Sequence, residues 1–189
     1  MSRAYRIRVK ESISLDVDAS DEICSDLEIL EILPAETMSD LLAKELSQRG
    51  YVEEEGNLTK KVGSVVVTVD PLQGTVSVRN ESSEHVDLQV ETSGTAYDDV
   101  GPAAEKIREG LQKAAKEELE RKKANKQEKL QREVSQQLEG ALADVRKELN
   151  EAINAITREA LKQKAAQMGA IKEMSEDPAA GTLTIKVEV

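Results

Sequence analysis

Residues 103–167 read AAEKIREGLQKAAKEELERKKANKQEKLQREVSQQLEGALADVRKELNEAINAITREALKQKAAQ. The stretch has no proline, no aromatic residue and only two glycines, Gly110 and Gly140. Ala, Leu, Glu, Lys and Gln dominate it, and these are strong helix formers. Glu117 with Arg121, and Glu118 with Lys122, are i, i+4 pairs in the favourable orientation. A single helix of this span would be on the order of 95 Å long at ~1.5 Å per residue. Between Leu119 and Leu130 almost nothing is apolar. That section is either a solvent-spanning helix or the tip of a helical hairpin. With no Gly or Pro to make a turn there, local sequence favours one long helix.

Part of the stretch has heptad character. Leu138, Val145 and Ala152 occupy one class of core position, and Leu142, Leu149 and Ile156 the other. This is about the minimum length for a coiled coil. Leu138, Leu142, Val145, Leu149 and Ile156 therefore form a candidate interaction stripe. On a lone helix it would be exposed, and such stripes meet another helix. An internal contact with the rest of the chain is the equal alternative. Ile107, Leu111, Ala115 and Leu119 make an upstream stripe suited to another helix or to the N-terminal region.

Towards the N-terminus the period changes from helical to two. Tyr5, Ile7, Val9, Ile13, Leu15 and Val17 alternate with polar residues, the pattern of a half-buried strand. Glu11 interrupts it and predicts a bend or bulge. Leu27–Leu33 reads as a second strand. Pro34 opens a helix to about Arg49, with Met38, Leu41, Leu42 and Leu46 on one face and Gly50 in the C-cap position. Val65–Val69, the turn Asp70-Pro71-Leu72-Gln73-Gly74 and Thr75–Arg79 read as a hairpin. Val86–Val90 is a further strand, and Ser93-Gly94-Thr95 with Gly101-Pro102 marks a boundary.

Past the helix, Ile171–Met174, the turn Glu176–Gly181 and Thr182–Val189 read as a C-terminal hairpin. Its turn, Asp177-Pro-Ala-Ala-Gly-Thr, resembles Asp70-Pro-Leu-Gln-Gly-Thr, and reuse of one turn chemistry accounts for the likeness. The expected class is α+β. A small acidic β-rich head with one short helix spans 1–101, a long helical, coiled-coil-like arm spans 102–168, and a hairpin spans 169–189.

Composition sets the function classes. The 189 residues include no Phe or Trp and three tyrosines, so a core must be built from Val, Ile and Leu. Residues 1–101 carry a net charge of −12 and residues 102–189 a net of +1. An acidic head repels phosphate backbones and anionic lipid, which argues against nucleic acid as a partner. Cys24 is the single cysteine, so an intrachain disulfide framework is excluded. Met1–Lys10 has no apolar core of a signal peptide, and no apolar run approaches membrane-spanning length. The expectation is a cytoplasmic protein without membrane insertion.

No constellation for chemistry stands out. His85, the only histidine, lies on the polar side of a strand with no second ligand at metal spacing. Cys24 reads as a small buried hydrophobe or inert thiol. Asp16–Glu22 begins like a calcium loop, then has Asp21 where the loop's glycine belongs and Leu27 where its glutamate belongs. It reads as a solvated acidic loop, and Glu53-Glu54-Glu55 and Asp98-Asp99 as surface turns. No catalytic residue, cofactor or metal is expected. The primary expectation is a non-catalytic accessory, adaptor or scaffold protein working through protein contacts, with a homo-oligomer through the arm as one form. The alternatives are a hydrolase using paired carboxylates and a nucleic-acid-associated coiled coil.

Two segments carry a resemblance. Met1-Ser-Arg-Ala-Tyr-Arg-Ile-Arg-Val-Lys-Glu-Ser and Leu30-Glu-Ile-Leu-Pro-Ala-Glu-Thr-Met-Ser-Asp-Leu-Leu-Ala-Lys-Glu-Leu resemble a bacterial accessory domain family of the FtsH ternary systems. Those are gene clusters centred on an FtsH-like AAA+ ATPase. The resemblance covers the N-terminal quarter and extends to the last hairpin. It implies an accessory component beside an ATPase and no activity for this chain.

Overall fold

The structure, a computed structural model, describes residues 5–97, 101–177 and 182–188. Its elements are β1 (Tyr5–Asp26), α1 (Ala35–Gln48), β2 (Val52–Glu54), β3 (Asn57–Val62), β4 (Val65–Asp70), β5 (Thr75–Ala96), α2 (Pro102–Met168), β6 (Ala170–Asp177) and β7 (Thr182–Glu188). One sheet has the order β1-β5-β4-β3-β2, and β6 with β7 forms a second, two-stranded sheet. This is the expected α+β class: a β-rich sheet with a short helix, one long helix and a C-terminal hairpin. The polar section of α2 is helical throughout, so the hairpin-tip alternative does not apply.

The chain divides into two compact units, Met1–Asp21 with Glu81–Gln136, and Glu22–Asn80 with Gln137–Val189. β1, β5 and α2 contribute to both. In the second unit, β4 turns Val65, Val67 and Val69 inward, where Leu58, Val76 and Val78 join them. Met38, Leu42 and Leu46 of α1 and Leu138, Val145, Leu149 and Ile156 of α2 complete that core. α1 ends in a Schellman arrangement. Gly50 (φ 88°) donates to Ser47 O at 3.1 Å and Tyr51 N–H to Leu46 O at 3.1 Å, while both Tyr51 and Leu46 enter the core.

In the first unit three smaller clusters lie along α2. Ile7 and Ala96 pack with Ala104, Ile107 and Leu111. Val90, Ile13 and Leu88 meet Ala115 and Leu119. Val17, Ala19 and Val86 meet Leu130 and Val134. The upstream helical stripe therefore packs on strands. Gly94 of β5 makes room for it, since a Cβ there would stand 3.2 Å from Leu111 Cδ1.

Several local expectations change. Leu27–Leu33 is not a strand. Leu27 N–H bonds Gly74 O at 2.7 Å, and two three-residue turns follow, Ile29 N–H to Leu27 O and Ile32 N–H to Leu30 O, both 2.9 Å. Its apolar residues reflect burial, with Leu33 in the core and Leu27, Ile29 and Ile32 packed against it, rather than a ladder. In/out alternation runs through Glu11 to Ile23, so the acidic stretch Asp16–Glu22 is strand rather than loop. β5 runs from Thr75 to Ala96, with even-numbered residues inward throughout. Ser93-Gly94-Thr95 is part of it, and Gly101-Pro102 alone opens the helix; Asp98-Asp99 lies outside the described residues. Cys24 is exposed, not buried. Glu53 and Glu54 belong to the edge strand β2, and Glu55-Gly56 (φ 52° and 85°) forms the two-residue turn to β3, the positive-φ pair of a type I′ hairpin.

Candidate functional site

The five residues of the sequence-derived stripe all meet the core of the second unit. Leu138, Val145, Leu149 and Ile156 are buried, and Leu142 packs against them half-covered. The internal alternative is the arrangement present. Two polar ties hold this part of α2. Lys60 Nζ of β3 meets Glu148 Oε1 at 2.5 Å, and Arg49 reaches Glu151 at 3.4 Å. Lys60 also stands 5.2 Å over the ring of Tyr51, a cation–π distance. The Tyr51 hydroxyl has no hydrogen-bond partner among the described residues, and burial raises its pKa well above the phenol range, with Glu148 adding to the shift.

His85 has partners that its sequence neighbours do not reveal. Cross-strand partners of β1 and β5 run in opposite senses: Lys10 with Glu91, Ser14 with Asp87, Asp16 with His85. That register sets His85 Nδ1 2.7 Å from Asp16 Oδ1 and Nε2 3.0 Å from Ser14 Oγ. The Ser–His–Asp order has the outline of a nucleophilic triad, but proton placement opposes it. The Ser14 hydroxyl donates to Asp87 Oδ1 at 2.5 Å, so its proton is not aimed at the imidazole. The hydrogen bond and charge of Asp16, with Asp87 behind them, raise the His85 pKa. The group lies on an exposed sheet face, open to water. It is a polar surface network. Strand register, invisible in one sequence, is what would have revealed it.

The paired carboxylates of a hydrolase have a place to be sought. An open cleft of about 680 Å³ in the first unit is lined by Asp18, Glu81, Ser82 and Gln127 among others. Asp18 and Glu81, however, occupy the outward positions of β1 and β5. The helix side contributes amides, with Gln131 donating to Ser20 O at 2.9 Å and Gln127 to Asp18 O at 3.4 Å. Lys122 donates to Gln89 O at 3.0 Å, and Lys126 pairs with Glu84 at 2.7 Å. The polar section of α2 thus meets polar inner-face residues and strand carbonyls. Among the described residues no His, Cys, Asp and Glu group has metal-binding geometry, and no helix is long and apolar enough to cross a membrane.

One apolar surface is only half-covered. In β7, Leu183, Ile185 and Val187 alternate with Thr184, Lys186 and Glu188. The register places Val187 beside Ile171, Ile185 beside Met174 and Leu183 beside Glu176. Ile171 is 36% and Met174 43% exposed, and every residue of β6 is exposed. Met168 at the end of α2 is 60% exposed, and Leu161 39%. One tie to the helix is Arg158 to Glu176 at 3.2 Å.

Comparison with known proteins gives a single result. Neither curated proteins nor solved structures match the chain. A family model described as FtsH ternary system domain X5 matches residues 1–189, so the chain belongs to that family.

Proposed function

We propose that the chain is a non-catalytic accessory or adaptor protein that works through protein–protein contacts beside the AAA+ ATPase of an FtsH ternary system. The observation carrying this reading is the half-covered apolar hairpin, with Ile171 and Met174 exposed, on a chain whose long helix spends its apolar stripe internally. Family membership supplies the setting. The Ser14 hydroxyl's hydrogen bond to Asp87 rather than to His85 and the outward placement of Asp18 and Glu81 support a role without catalysis. The net charge of −11 supports a protein partner over nucleic acid, and the single free cysteine is compatible with the cytoplasm.

The test is reciprocal purification from the native cell. A tagged ATPase of the same gene cluster is expected to retain the wild-type chain and to lose a variant carrying Ile171→Ser and Met174→Ser. Failure of the two to associate in either direction, with purified proteins as well, would sink the adaptor reading.

A further inference from the structure

A two-stranded sheet leaves one edge of each strand without a ladder partner, and here both edges are open among the described residues. Such a sheet is marginal alone in water, and an open edge recruits another strand. The two edges differ. β6 has a register break between Ile171 and Glu173, which disrupts regular pairing. Paired antiparallel with a copy of itself over its full length, it would set Ile171 opposite Glu176. β7 is regular over Thr182–Glu188 and alternates strictly.

The β7 sequence is complementary to itself. With a two-fold axis through Ile185, an antiparallel copy sets Leu183 opposite Val187, Thr184 opposite Lys186 and Thr182 opposite Glu188. No like charges face each other, and the apolar residues of both copies share one face. Lys186 is already paired with Glu173 in its own chain. Other registers are worse. An axis at Lys186 opposes two ammonium groups, an axis at Thr184 leaves Val187 and Glu188 without partners, and a half-step sets apolar residues against polar ones.

We propose that β7 is a dimerisation edge: two copies of the chain join β7 to β7, antiparallel about Ile185, into one four-stranded sheet. The contact is isologous, as a two-fold dimer requires. It raises the strand number above the marginal two and doubles the width of the Leu183–Ile185–Val187 face. It uses the hairpin and not the helical arm, whose stripe is already buried. This inference stands apart from the adaptor reading, because it concerns the purified chain alone.

Sedimentation equilibrium of the full chain should show a concentration-dependent dimer. Ile185→Lys places two ammonium groups on the axis and should give a monomer with an unchanged far-ultraviolet helix signal. Position-specific cross-linking supplies an independent reading. In a Cys24→Ser chain, Ile185→Cys should oxidise to a disulfide-linked dimer, whereas Leu183→Cys, which faces Val187, should not. A wild-type chain that is monomeric at every concentration overturns the proposal. So does a dimer that survives Ile185→Lys, or equal cross-linking at 183 and 185. A monomer that the ATPase still retains would overturn the dimer and leave the adaptor reading intact.

Discussion

The β4–β5 and β6–β7 hairpins end on matching pairs. Asp70 pairs with Thr75 and Asp177 with Thr182, each across four residues. In the first, the Asp70 carboxylate accepts from Leu72 N–H and Gln73 N–H, both at 2.9 Å, and Gly74 takes φ 66°. Their fates then diverge. Val67 and Val69 are fully buried beneath two helices, while Ile171 and Met174 stay in the open. Turn chemistry fixes the register of a hairpin but carries no information about what will cover it. Coverage comes from elements distant in sequence: Leu42 and Leu46 of α1 and Leu138 to Ile156 of α2 for the first hairpin, whereas the apolar residues of β7 are only half-buried and Arg158 of α2 reaches Glu176 of β6.

The largest expected effect tests that contrast directly. Val67→Ala removes buried methyl groups and should cost about 2–3 kcal/mol in urea unfolding. Ile185→Ala, measured where the chain is monomeric, should cost under about 1 kcal/mol. Equal losses would mean that the second hairpin is covered after all.

Two of the charged ties to α2 provide the next comparison. Lys60 and Glu148 side chains are 26% and 23% exposed, and Glu148→Ala should cost about 1–2 kcal/mol. Arg158 and Glu176 are 44% and 36% exposed, so Glu176→Ala should cost at most about 0.5 kcal/mol. Chemical denaturation of both variants at low and high salt would rank them.

Tyr51→Phe removes a buried hydroxyl that has no partner among the described residues, while keeping the ring beneath Lys60. A gain of up to about 1 kcal/mol is expected, because the polar group's desolvation is relieved. A loss would reveal a hydrogen bond to that hydroxyl.

The smallest effect belongs to the exposed network. His85 is the only histidine, so its proton resonances titrate without ambiguity. Its midpoint should lie above the usual value of about 6.5, and Asp16→Asn should lower it. A raised folded-state pKa contributes stability below the unfolded value, and that contribution disappears as pH rises through the folded one. The unfolding midpoint should therefore fall slightly across that window in the wild type and less in the variant.

Much of this fold is written in local periods. The 3.6-residue face of Met38, Leu42 and Leu46, the alternation of β1 and β7 and the Asp-Pro turn are short-range signals that survive into the structure. A heptad reading of α2 captures only residues 138–156. The buried positions also recur every fifteen residues, Ala104, Leu119, Val134 and Leu149, then Ala115, Leu130, Val145 and Ala160. Fifteen residues are about four helical turns, so this spacing was legible in principle. It was hidden because Lys122 and Lys126 stand where apolar residues would have continued it.

Residues of the candidate site were less legible, for a physical reason. The existence of the C-terminal hairpin, its turn and its apolar face follow from sequence alone, because each depends on neighbours a few positions away. Whether an apolar face is core or surface depends on which distant element reaches it. Leu138 to Ile156 and Leu183 to Val187 are similar apolar repeats, and only tertiary packing buried the first and left the second half-open. The pairing of Asp16 and Ser14 with His85, and of Ser14 with Asp87, was likewise decided by the register of strands some seventy residues apart.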